Sequence, residues 1–303
     1  MAKGISMQNL RTVRDWIRWG SSEFNAKGLF FGHGTDNAWD EAAVLVLWAI
    51  HQPWTHLPDV IDACLTDAEC RKVEQVLLTR TDERVPAAYI TGEAWFGGLK
   101  FIVNREVLVP RSPIAELIAN GFEPWITQPP RQILDLCAGS GCIGILCAKF
   151  FDAEVHLSDI SNSALAVARK NIALHQLQHQ VTAVASDLFA GLAGRKYDLI
   201  VSNPPYVDKQ DIRNMPAEFC AEPEIALAGG DDGLDLVRLM LREATDYLTE
   251  QGLLVVEVGN SWLALESAFP EVPFLWPEFE NGGHGVFILS AQQLSAYAHH
   301  FAS

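Results

Sequence analysis

The feature that most constrains the fold of this chain is one continuous stretch near its middle, residues 133–151. It starts with a short strand-like segment, ILDL at 133–136, passes through the glycine-rich segment CAGSG at 137–141, and ends in a segment with apolar side chains at helical spacing, 142–151. A short buried strand, a glycine loop and a helix form the first unit of a doubly wound α/β fold. The stretch therefore predicts an open sheet whose ligand binds at the carboxyl ends of the strands.

Three successive predicted strands end in an aspartate: Asp135, Asp159 and Asp187. Each one alone would be interpreted as a loop residue or a helix cap, but the recurrence is hard to obtain by chance. Asp159 lies twenty residues after Gly139, where an acidic side chain can bind both ribose hydroxyls. Asp187 ends its strand as Asp159 does. We therefore predict that Asp187 accepts a hydrogen bond from an adenine amino group, with Leu188 packing near the base.

The glycine loop is compatible with two kinds of cofactor. Residues 139–144 match G-x-G-x-x-G, for which a dinucleotide is the first candidate. The carboxylate of Asp135 would repel a pyrophosphate placed beside the glycines. S-adenosylmethionine (SAM) has no phosphate and carries a sulfonium and an ammonium, which a carboxylate attracts. We therefore predict SAM as the cofactor, bound by Asp135, Cys137, Gly139 and Gly141.

A second motif, Asn203-Pro204-Pro205-Tyr206, directly follows the predicted strand at 197–201. Two adjacent prolines remove two N–H donors and fix two φ angles, which leaves a stiff turn rich in acceptors. Asn203 adds a side-chain carbonyl and Tyr206 adds a flat aromatic face. An isolated turn of this kind is usually only a turn. Beside a cofactor loop it suits a planar –NH2 group, which no hydride transfer needs.

The whole chain predicts a helical N-terminal part followed by the α/β part. We expect helices within residues 5–84, capped by Asp36 or Asn37 and by Thr66 or Asp67, then a β-hairpin at 88–109 that begins with the strand-like residues 89–92. The linker 208–230 is expected to form a mobile flap. The predicted domains are 1–87, the hairpin linker 88–111, and 112–303. Seven strands are predicted, the last one antiparallel, at 133–136, 154–160, 181–186, 197–201, 252–259, 272–276 and 286–289.

Composition and charge restrict the partners. The 303 residues include 22 Lys and Arg against 38 Asp and Glu, a formal net charge of -16. Proteins held mainly by nucleic-acid phosphates present basic surfaces, so the charge favours a basic protein partner instead. The first residues lack the apolar core of a secretion signal, and the longest apolar run, 42–50, is too short to span a membrane. The six cysteines show no zinc spacing. We expect a cytoplasmic protein with no metal site.

Taken together, these motifs resemble a known family. D-x-C-x-G-x-G at 135–141, the two later aspartates and N-P-P-Y resemble the SAM-dependent amino methyltransferases. The patterns G-E-x-x-F at 92–96, V-P-R at 109–111, E-P-x-x-A-L at 222–227 and G-x-x-G-L at 230–234 extend the resemblance to HemK-like protein-glutamine methyltransferases, over about residues 85–290. The resemblance implies a seven-stranded Rossmann-like SAM-dependent methyltransferase domain.

The resemblance also implies roles for individual residues. In that family the Asn and the first Pro of the motif hold the side-chain amide of a glutamine, and the Tyr stacks on it. These roles fall on Asn203, Pro204 and Tyr206, while Phe101 and Arg111 would border the cofactor. Asn203 is counted among the cofactor-binding residues as well.

The family has two branches with different substrates. The release-factor branch reads P-R-P-x-T-E where this chain has PRSPIAE at 110–116. The sequence of this segment resembles the branch that methylates a glutamine in the third protein of the large ribosomal subunit. Release factors stay open as an alternative substrate. Two other functions stay open too: methylation of an exocyclic amine on a nucleic-acid base, and a non-catalytic SAM-binding assembly factor for ribosomes.

Overall fold

The structure is a computed structural model that describes residues 9–302. Its contacts divide the chain into two compact units. The first unit is Met1–Glu93 with Pro216–Ala221, and the second is Ala94–Met215 with Glu222–Ser303. The chain therefore leaves the second unit after Met215 and re-enters it at Glu222. The functional division into 1–87, 88–111 and 112–303 stays a prediction, and the predicted helical residues 5–8 lie outside the described residues.

The first unit is helical, as its apolar spacing predicts. Its helices are α1 (Val13–Ala26), α2 (Ala38–Ala49), α3 (Leu57–Val60), α4 (Asp67–Asp82) and α5 (Ala87–Thr91). Asn37 caps α2 by accepting from the backbone N–H of Asp40, and Thr66 forms a capping box with Glu69 at the start of α4. These caps satisfy N–H groups that have no partner inside the helix. Both caps were among the predicted candidates.

A buried ion cluster lies in the core of the first unit. The Arg80 guanidinium donates to Glu41 at 2.5 Å and to Glu218 at 3.4 Å, and all three side chains are about 1% exposed or less. Arg84 donates to the same oxygen of Glu218 at 3.0 Å. Charges buried this deeply are tolerated only when they are paired. Glu218 therefore anchors the segment Pro216–Ala221 within the first unit.

The predicted hairpin is shorter than expected. Its strands are β1 (Glu93–Phe96) and β2 (Leu99–Ile102), joined by two glycines with positive φ, Gly97 and Gly98. The residues at 89–91 were predicted to be extended, and this is wrong, because they form most of α5. Pro86 sits at the N-cap and Gly92, at φ 72°, ends the helix. These two boundary signals outweigh the strand propensity of Tyr, Ile and Thr.

The second unit contains a six-stranded sheet in the order β5-β4-β3-β6-β7-β8. Only the β7–β8 pair is antiparallel, as predicted for the last strand. The predicted count of seven is corrected to six, because residues 272–276 supply one isolated bridge, Leu275 to Ile288, and no strand. Pro273 and Pro277 lack the N–H donors that a longer ladder needs. The strands are β3 (Gln132–Leu136), β4 (Glu154–Asp159), β5 (Val181–Ala185), β6 (Tyr197–Ser202), β7 (Leu248–Glu257) and β8 (Val286–Ser290).

Helices cover both faces of this sheet. Alternate residues of β3 show it: Ile133 packs in one buried apolar cluster, and Leu134 and Leu136 pack in another. The order of the strands reverses at β3, which lies between β4 and β6. In doubly wound sheets this reversal opens a crevice at the carboxyl ends of the strands. The helices are α6 (Ile114–Ala119), α7 (Cys142–Phe151), α8 (Asn162–Leu174), α9 (Lys209–Asn214), α10 (Asp235–Glu243), α11 (Trp262–Ala268), α12 (Ala291–Ala296) and α13 (Ala298–Phe301).

Candidate active site

A cavity of about 580 Å³ lies in the second unit where β3, β4, β5 and β6 end. This volume falls within the range of small-molecule sites. Eight of the predicted site residues line it: Arg111, Cys137, Gly139, Asp159, Asp187, Leu188, Asn203 and Pro205. Residues that the sequence placed on separate strands thus meet at one cavity. The roles assigned to them stay predictions.

The glycine loop leaves part of this cavity open. Gly139 has φ 52°, and a Cβ built on it would meet no atom within 4 Å. Gly141, at φ 78°, is the N-cap residue of α7, and its Cβ would lie 2.6 Å from the Leu157 side chain. Both positions therefore need glycine, but for different reasons. At Gly139 the missing side chain leaves room for a ligand, whereas at Gly141 it permits close packing, and Gly141 does not line the cavity.

Asp159 links the loops that follow β3 and β4. One carboxylate oxygen accepts from the backbone N–H of Gly139 at 2.8 Å, and the other accepts from Ser161 N–H at 2.8 Å. Burial raises the pKa of Asp159, and these two N–H groups oppose the increase. A carboxylate oxygen can accept a second hydrogen bond, so both oxygens of Asp159 retain acceptor capacity. The hydroxyl of Ser161 also caps α8 by accepting from the backbone N–H of Ala164.

Asp135 does not line the cavity, although the sequence placed it beside the cofactor. Its side chain is 1% exposed and accepts from the backbone N–H of Gly144 in α7 at 2.8 Å. Burial raises the pKa of Asp135 to about 7, and the negative charge of Asp159 adds to the increase. The carboxyl group thus fixes the start of α7 against β3. Its effect on a ligand would act through the loop and through its charge.

Two non-glycine residues of the cavity have left-handed backbones. Cys137 has φ 61° and Leu188 has φ 43°. Such conformations are uncommon outside glycine, asparagine and aspartate, and they cluster at functional sites. The carbonyl of Leu188 accepts from the hydroxyl of Ser186 at 2.6 Å, which holds the turn after β5. This turn presents Asp187, whose side chain is exposed, at the cavity.

The Asn-Pro-Pro-Tyr turn begins immediately after β6. Asn203 and Pro205 line the cavity, while Pro204 is buried and Tyr206 lies outside the lining. Among residues 9–302, no hydrogen bond engages the side-chain amide of Asn203 or the carbonyl of Pro204. The two prolines contribute no N–H donor. The turn therefore offers acceptors that no neighbouring group of the described chain uses.

Tyr206 belongs to a polar network that the sequence did not suggest. Its hydroxyl donates to Glu257 at 2.8 Å, and the hydroxyl of Ser112 donates to the other oxygen of Glu257 at 2.5 Å. Burial raises the pKa of Glu257, and burial followed by the Glu257 charge raises the pKa of Tyr206 well above its usual value. A charged residue at the end of the apolar run GLLVVEV was the available signal.

Arg111 and Phe101 were both predicted to border the cofactor, but of the two only Arg111 lines the cavity. Arg111 lines the cavity and makes a bidentate pair with Glu222, with two N–O distances of 2.6 Å. Glu222 also accepts from the backbone N–H of Val109 at 3.0 Å. Phe101 is fully buried in an apolar cluster and does not line the cavity. The linker predicted to be a flap is therefore anchored at Glu222.

The charge of the cavity is negative. Its lining includes five carboxylates, those of Glu106, Asp159, Asp187, Glu224 and Asp235, and one cation, Arg111, which is already paired with Glu222. These negative charges would repel a pyrophosphate and attract a cationic ligand. Among residues 9–302, no cluster of three or more His, Cys, Asp or Glu side chains is arranged to hold a metal ion. No helix in the described part of the chain is long and apolar enough to cross a membrane.

The fold matches a solved methyltransferase structure. The hMettl16 catalytic domain in complex with MAT2A 3'UTR hairpin 1 aligns with a TM-score of 0.50 at 17% identity, covering 75% of this chain and 81% of that one. At this identity the likeness shows the fold alone. The family model "Methyltransferase small domain" matches residues 117–274, about half of the chain. The second unit is thus a methyltransferase domain of Rossmann-like architecture.

Curated relatives cover nearly the whole chain. A ribosomal protein uL3 glutamine methyltransferase of Francisella tularensis subsp. tularensis is 49% identical over 294 residues, 96% of this chain and 94% of that protein. The protein with the same name in Xanthomonas campestris pv. campestris is 50% identical over 292 residues, 95% of this chain and 94% of that one. The match therefore includes the helical first unit as well as the methyltransferase domain. On this evidence the chain belongs to the family of ribosomal protein uL3 glutamine methyltransferases.

Proposed function

We propose that this enzyme transfers a methyl group from SAM to the side-chain amide nitrogen of a glutamine in ribosomal protein uL3. The names of the two relatives, each about half identical over nearly the full length, support both the reaction and the substrate. The net charge of -16 agrees with a basic protein partner, because opposite charges attract at long range. We also propose that the reaction takes place in the cytoplasm, which a ribosomal protein substrate supports.

The observation that carries the proposal is that two residues of the Asn-Pro-Pro-Tyr turn and several of the predicted cofactor residues line one cavity. Asn203 and Pro205 lie there together with Gly139, Asp159 and Asp187. A cofactor site and an –NH2 site must adjoin for a methyl group to pass directly between them. If the turn lay at another edge of the sheet, the two motifs could not take part in one methyl transfer.

The residues of the cavity fit SAM. Gly139 leaves open space, and Asp159 keeps acceptor capacity on both oxygens for the hydroxyls of a ribose. Asp187 would accept from the adenine amino group, with Leu188 beside the ring. The negative lining suits a ligand that carries a sulfonium and an ammonium. When bound, SAM supplies an electrophilic methyl group on its sulfonium.

The Asn-Pro-Pro-Tyr turn supplies the positioning. An amide nitrogen is a poor nucleophile because its lone pair is delocalised into the carbonyl. The Asn203 side-chain carbonyl and the Pro204 backbone carbonyl would accept the two N–H bonds of the glutamine amide. Two fixed acceptors orient the nitrogen and stabilise the positive charge that develops on it as its lone pair is used. Holding the reactants in such an orientation can contribute about 7–11 kcal/mol.

Tyr206 and the rigidity of the turn complete the arrangement. The ring of Tyr206 would lie against the flat amide and restrict its rotation. The two prolines have fixed φ angles, so the acceptors keep their positions without a conformational cost at the moment of reaction. The proton that the nitrogen gives up after methylation is strongly acidic. A strong general base is therefore not needed.

The proposal can be tested by labelled methyl transfer to purified proteins. Purified enzyme, SAM with an isotopically labelled methyl group and recombinant uL3 are mixed, and the product is mapped by mass spectrometry. A release factor and a ribosomal RNA fragment serve as competing substrates in parallel reactions. We expect one labelled glutamine in uL3 and no label in the RNA. Label on the release factor alone, or on a base of the RNA, would contradict the proposed substrate.

A further inference from the structure

Glu257 is a buried acid that the proposed reaction does not use directly. It is the last residue of β7 and is 5% exposed. Its hydrogen-bond donors among the described residues are two hydroxyls, those of Tyr206 and Ser112, and no Lys or Arg side chain forms an ion pair with it. The preceding residues of β7, at 253–256, are all buried and apolar.

Burying such a carboxylate is costly. An ionised group removed from water without a paired cation loses several kcal/mol of solvation. The charge of Arg111 lowers the pKa of Glu257, but its guanidinium is held bidentate by Glu222. An apolar residue would extend the surrounding core at lower cost. The acid at this position therefore points to a role beyond the stability of β7.

The segment that begins at Glu257 holds Tyr206 at three points. Glu257 accepts from its hydroxyl, and the hydroxyl of Ser261 donates to its backbone carbonyl at 2.8 Å. Between these two residues, Gly259 lies against the ring, since a Cβ built there would be 2.5 Å from Cε2 of Tyr206. The hydroxyl, the ring and the backbone carbonyl of Tyr206 are thus all held by residues 257–261, at the end of β7 and in the turn that follows it.

A carboxylate has a property here that a neutral side chain lacks. It offers acceptors only, so both hydroxyls must point their protons toward it. A glutamine at 257 would offer one acceptor oxygen, and its NH2 group would face the other hydroxyl. Burial and the negative charge of Glu257 together keep the pKa of Tyr206 far above neutrality, so its hydroxyl remains a donor.

We propose that Glu257 is a positioning residue for methyl transfer, which fixes the hydroxyl of Tyr206 and thereby the plane of the ring against the substrate amide. This inference rests on the proposed function, because it assigns Glu257 an effect on that reaction. Glu257 itself contacts neither substrate nor cofactor. Its effect passes through Tyr206 and so depends on the tyrosine hydroxyl.

The kinetic test compares Glu257→Gln, Tyr206→Phe and the double variant. Each single change should lower kcat about tenfold and leave the KM for SAM unchanged. The double variant should be no slower than the slower single variant, because both changes remove the same contact. Losses that multiply in the double variant, or a single variant with unchanged kcat, would overturn the proposal.

A matched control separates positioning from general loss of an acid. Glu266 accepts from the indole N–H of Trp276 at 3.0 Å on the surface of the same unit. Glu266→Gln removes the same charge from a contact with an aromatic side chain, away from the cavity. We expect this variant to keep the kcat of the native enzyme. An equal loss in both glutamine variants would attribute the effect to charge rather than to the position of Tyr206.

A spectroscopic measurement tests the contact without any substrate. The chain has five tyrosines, and 13C labelling at Cζ with Tyr206→Phe identifies the Tyr206 signal in NMR spectra. In Glu257→Gln the pKa of Tyr206 should fall, while the other four tyrosine signals titrate as before. An unchanged titration would refute the contact. If the native enzyme fails to methylate uL3, the proposed function fails, but this titration still decides whether Glu257 controls Tyr206.

Discussion

The backbone N–H of Gly139 donates a 2.8 Å hydrogen bond to the carboxylate of Asp159, which joins the loops after two neighbouring strands. Gly139 follows β3 and Asp159 ends β4, and the two strands pair in parallel. One residue thus supplies open space and the other supplies acceptors at the same point of the cavity. This relationship makes Gly139 a position where cofactor binding and folding can be separated by mutation.

We expect Gly139→Ala to weaken SAM binding by tenfold or more. The added methyl group meets no protein atom within 4 Å, so it would occupy space in the cavity. The left-handed backbone adds a strain of about 1–2 kcal/mol to the folded state. Isothermal titration with SAM and thermal unfolding of the same samples measure the two effects.

Gly98→Ala is the matched control for that change. Gly98 lies in the β1–β2 turn with φ 78°, its Cβ would also meet nothing within 4 Å, and it does not line the cavity. The Gly98→Ala variant should lose about as much unfolding free energy as Gly139→Ala and keep the affinity of the native protein for SAM. Equal losses of affinity in the two variants would show that backbone strain, and not the occupied space, weakens binding.

The buried carboxyl of Asp135 should make stability depend on pH. Its pKa rises from 3.8 in the unfolded chain to about 7 in the folded protein, so the folded state holds more protons between these values. The resulting stabilisation is complete below pH 4 and is lost as the pH rises through 7. Relative to Asp135→Asn, the native protein should lose up to about 4 kcal/mol across this window. Urea unfolding at several pH values measures it, and parallel curves would contradict the assignment.

The Arg111–Glu222 pair should contribute more to stability than a similar pair on the surface. The side chain of Glu222 is fully buried, and it accepts from both guanidinium nitrogens and from Val109 N–H. Glu222→Gln should cost about 3–5 kcal/mol, because it leaves a charge without its partner. Asp232→Asn breaks the equally bidentate but half-exposed pair with Arg238 and should cost about 1 kcal/mol or less. Similar costs in chemical unfolding would refute the role of burial.

Arg80→Met should destabilise the first unit strongly. The variant keeps much of the side-chain volume but leaves Glu41 and Glu218 buried without the guanidinium between them. We expect a loss of about 3–5 kcal/mol in unfolding free energy. Lys27→Met, which breaks the exposed pair with Asp82, should change it by less than about 1 kcal/mol. A stable Arg80→Met protein would mean that the guanidinium of Arg80 is not needed to hold Pro216–Ala221 in the first unit.

Local signals in the sequence predicted local structure well. The caps at Asn37 and Thr66 and the strands that end near Asp159 and Asn203 depend on residues close in the chain. The errors arose where a boundary residue competed with propensity. Pro86 and Gly92 made a helix of a strand-like stretch, and Pro273 limited a predicted strand to one bridge.

The orientation of Asp135 could have been predicted and was not. Side chains alternate along a strand, so Asp135 must share the face of Ile133, on which α7 packs. Proximity to the glycines in sequence suggested instead that it faces the ligand. Asp159 is the last residue of its strand, where the chain turns. The alternation of side chains along the strand therefore does not prevent Asp159 from lining the cavity.

The polar network behind the turn could not be found from the sequence. Arg111 and Glu222 are 111 residues apart, and Ser112 and Glu257 are 145 apart. No periodicity or motif spacing connects such positions, because only the folded sheet brings them together. An acid at the end of the apolar strand β7 marks the position of Glu257 but not its partners.

Substitution of Asn203 tests the central claim most directly. Asn203→Ala removes one of the two acceptors assigned to the glutamine amide and leaves Gly139, Asp159 and Asp187 in place. Turnover on uL3 should fall about a hundredfold or more, while the dissociation constant for SAM, measured by titration without uL3, should change by less than about threefold. If affinity for SAM falls as far as turnover does, Asn203 holds the cofactor and the assigned role in gripping the amide is wrong.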